Sequence, residues 1–329
     1  MQVRLGIVGT GFIAQEVIPQ LRKWGIEPEA VCGTPHSADV LENLCSINQI
    51  SEHYFDYENM LSEANIDTVY IAIPNNLHFE FSQRALQHQK HVIIEKPMTS
   101  NLKEAEELFQ TAERQKVFLF EAISTIYLEN YRKIQEWLPR IGEVRIVMLN
   151  FSQYSRRYDA FRNGDILPAF DPGKSGGALM DLNSYNLHYM TGLFGSPQSV
   201  SYYANIERGI DTSGIVMLDY GTFKGTAIAA KDCHAPSGSV IQGTNGYISQ
   251  DTPANICGKV TLHMNDGTEE YFDAKPESRL TDEFRAFISA IDNNDSDFFR
   301  KMMKHSIEVS KIITQARYYA GISFPADIN

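Results

Sequence analysis

Cysteine is scarce in this 329-residue chain: Cys32, Cys45, Cys233 and Cys257 are the only four, and no pair has Cys-x-x-Cys spacing. That scarcity excludes a disulfide-built scaffold and leaves buried or free thiols in a reducing compartment as the expectation. Positive charge is also in deficit, with 29 Lys and Arg against 41 Asp and Glu and a net charge of −12. The imbalance argues against nucleic acid or an anionic membrane as the main partner. No stretch approaches the roughly 18 apolar residues of a membrane span. The chain enters an apolar strand at once, without the basic and hydrophobic regions of a secretory leader, so the expected location is cytoplasmic. Asn294-Asp295-Ser296 matches a glycosylation acceptor, but nothing routes the chain to secretion. Cys233-His234 has no further ligands at zinc spacing, so no metal site is expected. Gly173-Lys174-Ser175 fails as a phosphate loop because Pro168 stands where the first glycine belongs.

What is present is an ordinary globular composition, 43% hydrophobic and 21% charged, in a chain long enough for two cores. Its organising stretch is Val92–Pro97, Val-Ile-Ile-Glu-Lys-Pro. An apolar strand buried on both faces cannot hold charge along its length, so Glu95 and Lys96 fall at the carboxyl edge of the sheet, where open parallel sheets bind ligands. Pro97 cannot continue a ladder and biases Lys96 away from helix, which sets a sharp turn where the lysine emerges.

The start of the chain supplies the context. Strand Val3–Val8 runs into Gly9-Thr10-Gly11-Phe12-Ile13-Ala14, a G-x-G-x-x-A pattern between strand and helix. Gly9 permits the tight turn, Gly11 removes a Cβ from the path of a pyrophosphate, and Ala14 lets helix and sheet pack closely. The amides of the helix start then face phosphate. Pro19 should shorten or kink that helix. After the second strand, near Glu29–Gly33, the positions that usually offer an acid to the ribose of NAD read Cys32-Gly33-Thr34-Pro35-His36-Ser37. With no acid, and with Thr34 and His36 to meet a 2′-phosphate, NADP is favoured over NAD. Strands near 53–55, 68–73, 92–95 and 117–120 alternate with helices, so six strands in about 120 residues predict an α/β, doubly wound parallel sheet.

Beyond Glu121 the rhythm changes. A helix over 130–138 precedes a long alternating strand, 143–153, and a polar loop, 154–175, that carries Tyr154, Arg156, Arg157, Tyr158 and Arg162. Gly176-Gly177 opens a helix over 178–194, and strands near 199–205, 214–219, 223–230, 239–243, 259–264 and 269–272 follow. Two helices, 281–293 and 298–320, close the chain. The pattern predicts a second, α+β domain with a mostly antiparallel sheet, and a division into domains 1–121 and 122–329. On the helix, Asp181 and Tyr185 lie four apart and share a face.

Gly9–Ala14, Glu95-Lys96-Pro97 and Gly176-Gly177-Ala178-Leu179-Met180-Asp181 with Tyr185 resemble, in order and spacing, the Gfo/Idh/MocA oxidoreductases. The tyrosine in place of a Gly-x-His is similar to the branch containing glucose–fructose oxidoreductase and dimeric dihydrodiol dehydrogenase. The resemblance implies a Rossmann domain for NADP or NAD and an α/β domain for substrate. It implies a large open sheet whose face joins subunits into a dimer or tetramer. It implies that Lys96 and Tyr185 are catalytic and that Asp181 positions substrate or cofactor. It further implies that Ile73, Pro74, Asn75, His78 and Glu95 line the nicotinamide side. Asn183 stands where glycine is usual and His188 where an acid is common.

The chemistry asks for these residue types. Oxidising an alcohol moves a hydride to the nicotinamide and a proton from oxygen to a base. A phenol with a pKa of about 10 is a poor base at neutral pH. An ammonium roughly 5 Å away, at an effective dielectric near 20, stabilises phenolate by about 3 kcal/mol. Hence Tyr185 is expected as acid/base, with Lys96 as electrostatic partner and a sugar, polyol or diol as substrate. An oxidoreductase that recycles a tightly held cofactor, and a non-catalytic dinucleotide sensor, are the alternatives.

Overall fold

The computed structural model describes residues 3–328. They form two compact units, residues 3–122 with 280–306 and residues 123–279 with 307–328.

In the first unit six strands, β1 (Arg4–Val8), β2 (Glu27–Cys32), β3 (Glu52–Tyr54), β4 (Thr68–Ile71), β5 (His91–Glu95) and β6 (Leu119–Ala122), pair in parallel in the order β3-β2-β1-β4-β5-β6. This order is that of a doubly wound sheet, the architecture predicted from the sequence. Between these strands and before residue 122 come the helices α1 (Phe12–Val17), α2 (Ala38–Asn48), α3 (Tyr57–Glu63), α4 (His78–Gln87) and α5 (Leu102–Gln115). β4 and β6 are buried at every position, as strands covered on both faces must be. Pro19 has the expected effect: α1 stops at Val17 and the chain continues as a tighter 3₁₀ turn to Trp24, because proline supplies no amide to an α-helical ladder. Asp56 caps α3 by accepting from the Asn59 amide at 3.0 Å, and Asn101 caps α5 by accepting from the Glu104 amide at 3.0 Å.

The second unit contains α6 (Glu129–Trp137), β7 (Val144–Ser152), α7 (Arg156–Arg162) and α8 (Ser184–Phe194). They are followed by β8 (Ser199–Glu207), β9 (Ile210–Asp219), β10 (Lys224–Ala230), β11 (Gly238–Gly243), β12 (Gly246–Gln250), β13 (Val260–Met264) and β14 (Glu269–Phe272). The eight strands order as β14-β13-β12-β11-β7-β10-β9-β8, antiparallel throughout except for β7 beside β10. Strand alternation gives the sheet two faces. Val147, Leu149, Phe151, Val216, Leu218, Ala227, Ile241 and Leu262 are buried, while the alternate positions Ile146, Met148, Ile215, Met217, Tyr203, Tyr247 and Tyr271 are exposed.

Three local expectations differ from what forms. The stretch 154–175, read as a loop, holds α7 and two 3₁₀ turns: the Ser155 hydroxyl accepts from the Arg157 amide, and Phe161 stacks on Phe170 with centroids 5.0 Å apart. β12 was not expected, although Asn245-Gly246 is a hairpin signal and any Cβ at Gly246 would press on the carbonyl of His263 across the ladder. The helix expected from 178 opens as a π-helical turn, Leu179–Asn183, before α8 begins.

The chain closes with α9 (Thr281–Asp292) and α10 (Ser296–Tyr319). A single division at 121/122 would assign both to the second domain, whereas Leu280–Ser306 belongs to the first unit. The cause is aromatic packing. Phe284 stacks on Trp24 at 5.0 Å, Phe287 on Phe120 at 4.9 Å, and Phe299 lies 5.3 Å from Phe118. In the second unit the buried Arg317 guanidinium grips both oxygens of Asp327, at 2.8 and 2.9 Å, and ties down the C-terminal segment.

Candidate active site

In the first unit the candidate residues sit at the carboxyl ends of four adjacent strands. Gly9, Thr10, Gly11, Phe12 and Ile13 follow β1, and Thr34 and His36 follow β2. Ile73, Pro74, Asn75 and His78 follow β4, and Glu95 and Lys96 follow β5. One sheet edge therefore gathers all of them, as the position of ligand sites in open α/β sheets requires. The turns are braced from within. The buried His78 ring spans the gap between two of them, with Nδ1 2.9 Å from the carbonyl of Pro97 and Nε2 2.9 Å from that of Ile73. Burial pushes its imidazole below the usual value and favours the neutral ring. His78 is thus fully buried against the backbone of these turns. Glu95 accepts from the buried Tyr70 hydroxyl at 2.6 Å, and the Met98 amide donates to Glu121 at 2.8 Å. Lys96 is half-buried between these fixed points.

The two motif glycines answer to different causes. Gly9 has φ +111°, and a Cβ there would collide with the carbonyl of Ala72. Gly11 has an ordinary extended backbone, and a Cβ there would meet nothing within 4 Å. Nothing inside the protein asks for glycine at 11.

In the second unit the π-helical turn holds Asp181, and α8 holds Tyr185, which is 7% exposed and faces Phe151 with centroids 6.0 Å apart. Single wide turns of this kind concentrate at functional sites. The helix is fastened to β10: Asn183 donates to the carbonyl of Ala227 at 2.9 Å, and Asn186 to that of Ile228 at 3.0 Å. Asn183, where a glycine was the familiar residue, is thus a structural clamp. Asp181 accepts from the Lys231 ammonium at 2.7 Å, and Lys231 donates also to the carbonyl of Ala169 at 3.0 Å. The Leu179 amide and the Tyr202 hydroxyl donate to the buried Asp211, at 2.6 and 2.7 Å. Gly176 and Gly177 allow this crowding. A Cβ on Gly176 would come within 2.6 Å of the Pro168 carbonyl, and one on Gly177 would strike the Asp211 carboxylate.

The family profile described as "oxidoreductase family, NAD-binding Rossmann fold" matches residues 3–123, and the GFO/IDH/MocA C-terminal domain matches residues 131–249. A relative named scyllo-inositol 2-dehydrogenase (NADP(+)) IolU, from Bacillus subtilis, is 33% identical over 329 residues, 99% of each chain. The chain belongs to the GFO/IDH/MocA oxidoreductase family. Trans-1,2-dihydrobenzene-1,2-diol dehydrogenase of Mus musculus is 26% identical over 99% of both chains. In fold, the chain is similar to KijD10, a 3-ketoreductase from Actinomadura kijaniata, with TM-score 0.82 and 22% identity over 96% of this chain and 97% of that one.

Family membership makes this an oxidoreductase with an NAD(P)-binding domain, and the resemblance stated from the motifs is confirmed. The open space at Gly11 fits such a cofactor. Lys231 and Asp211 are the residues that sequence reasoning missed. Lys231 had a readable signal, since it ends the apolar strand β10 as Lys96 ends β5; Asp211 had none. No group of three or more His, Cys, Asp or Glu among the described residues is placed to hold a metal.

Two outcomes follow. Gly11→Val fits the extended backbone and open space, so the melting temperature should hold while NADPH affinity falls by overpacking, worth about 1–3 kcal/mol or ~5- to 150-fold. A titration showing unchanged affinity would remove the ligand from that turn. Burial pushes the Asp211 carboxyl from its ordinary 3.8 up to about 6, against the pull of its hydrogen bonds and of Lys231. The folded state therefore keeps a proton that the unfolded chain releases between about pH 4 and 6, and stability falls as pH rises through that window. Urea melts of wild type and Asp211→Asn should diverge there by about 3 kcal/mol, with the variant flatter; parallel curves would contradict the burial argument.

Proposed function

We propose that the protein is an NADP-dependent dehydrogenase that interconverts a secondary hydroxyl and a ketone on a neutral polyol, sugar or ring diol. What carries the reading is Tyr185: a phenol held almost out of water, four residues along the helix from Asp181 of a carboxylate–ammonium pair, in a chain one-third identical throughout to a named NADP-dependent polyol dehydrogenase. NADP rather than NAD is supported by the turn after β2, where Thr34, His36 and Ser37 stand and no acid repels a 2′-phosphate.

The nicotinamide, when bound, supplies the acceptor for the hydride leaving the carbinol carbon. Tyr185, as phenolate, takes the hydroxyl proton as the C–O bond becomes a carbonyl, and returns it when the reaction runs backward. The Lys96 ammonium favours the phenolate and donates to the developing oxyanion. Asp181 accepts a hydrogen bond from a neighbouring hydroxyl of the substrate. Titration with NADPH and NADH, followed by a panel of polyols, sugars and diols at pH 7 to 9, tests the assignment. Tyr185→Phe and Lys96→Ala should each lower kcat at least ~100-fold with cofactor affinity kept. Rates close to wild type in both would remove the mechanism.

The same reading includes a homo-oligomer joined through the open sheet. Cross-strand register places Ser201, Met217, Thr226, Met148, Val240, Ser249, Thr261 and Tyr271 in one row on a single face. Ile215, Ile146 and Tyr247 flank that row, so the exposed face carries a band of apolar side chains interspersed with Ser and Thr, of a kind that interaction surfaces use. Met148→Glu with Met217→Glu should halve the mass seen by light scattering and leave the melting temperature near wild type. A wild type that is already monomeric at micromolar concentration would refute the interface.

A further inference from the structure

Lys231 is buried to 2% of its surface, yet Asp181, its partner, keeps a third of its side chain exposed. The asymmetry matters. Removing an ammonium from water costs several kcal/mol, and a buried ion pair is commonly no more stable than apolar side chains of the same volume. Stability alone would be served as well by a methionine, because the Phe170 ring lies under the ammonium at 4.6 Å and would pack against a thioether. What a methionine could not do is hold a carboxylate. The three ammonium protons point to three fixed acceptors: Asp181 at 2.7 Å, the carbonyl of Ala169 at 3.0 Å and the face of Phe170. Of these, the Phe170 ring is fully buried and the Ala169 carbonyl belongs to the main chain. The ammonium is thereby immobilised, and the carboxylate it grips is the partner that solvent, and hence substrate, can reach.

We propose that Lys231 is a positioning residue for substrate recognition, fixing the Asp181 carboxylate in the orientation that receives a substrate hydroxyl. This rests on the polyol-dehydrogenase reading for its substrate, but the contact itself lies wholly within the second unit. Lys231 touches neither cofactor nor reacting atoms in this scheme. Its effect passes through Asp181, and removing either member of the pair removes the same contribution.

The test is a double-mutant cycle on the full-length protein with NADPH or NADP present. Lys231→Met should raise KM for the best polyol or diol at least ~10-fold, change kcat much less, and leave NADPH affinity within ~3-fold of wild type. In the Asp181→Asn background the same change should add nothing, so that the double variant and Asp181→Asn share one KM. Multiplicative effects of the two substitutions, or a wild-type KM in Lys231→Met, overturn the proposal. Should Lys231→Met fail to fold, the double variant has lost both charges, and its comparison with Asp181→Asn carries the test alone. A crystal structure of Lys231→Met gives a readout that needs no turnover: the Asp181 carboxylate is expected to leave its place by more than ~1 Å, and an unmoved carboxylate refutes the positioning role. Wild-type protein that binds NADPH but turns over no polyol, sugar or diol would instead overturn the function proposed above, and the crystal structure would then decide the role of Lys231 by itself.

Discussion

An ammonium ion taken out of water must find an anion at hydrogen-bonding distance, and the second unit is arranged around one such demand. Lys231 ends a strand whose last residues are buried, so it cannot reach solvent along the sheet. Its partner has to come from the element packed over that strand, the π-helical turn that opens toward α8. Once Asp181 is required there, other features acquire reasons. Asn183 and Asn186 clamp the helix to β10 through main-chain carbonyls, Asp211 holds the amide at the turn's start, and Gly177 lets the entering backbone pass beside Asp211. Tyr185 rides on the element so fixed.

Much of the first unit was legible in the sequence because its signals are local. A strand, a glycine turn and a helix occupy a dozen consecutive residues, and Glu95-Lys96-Pro97 announces a strand end within three. The second unit yields less because its decisive contacts are distant. Lys231 and Asp181 are fifty positions apart, and Asp211 is thirty-two from the amide it accepts. No local periodicity encodes such pairs. The strand-end lysine itself was visible, but the carboxylate that gives it meaning was not. The closing helices show the same limit: Phe284, Phe287 and Phe299 mark an apolar face plainly, while the sheet they cover is set by rings at 24, 118 and 120.

Glycine shows how structure separates causes that sequence merges. Gly9, Gly176 and Gly177 are all explained by neighbours in the protein: two carbonyls and a carboxylate that leave no room for a Cβ. Gly11, from the same short motif as Gly9, faces open space. In the sequence both read as dinucleotide glycines. With coordinates, Gly9 is a folding requirement, whereas no neighbour within the protein demands glycine at 11.

Placement of the charged groups in the second unit follows from one departure in strand direction. An antiparallel sheet sends successive strand ends to opposite edges, which scatters whatever residues terminate them. Here β7 and β10 run parallel, with Ser152 beside Ala230, so their carboxyl ends open at one edge. β9, antiparallel to β10, begins at that edge and brings Asp211 and Thr212 with it. The Lys231 amide donates to the carbonyl of Thr212, and the Ser155 amide to that of Lys231. The edge therefore gathers Lys231, Asp211 and the start of the segment bearing α7, and so reproduces in a mostly antiparallel sheet the carboxyl-end geometry that makes parallel sheets hospitable to ligands. The polar cluster is a consequence of that topology, and Asp181 is the member of it that faces outward.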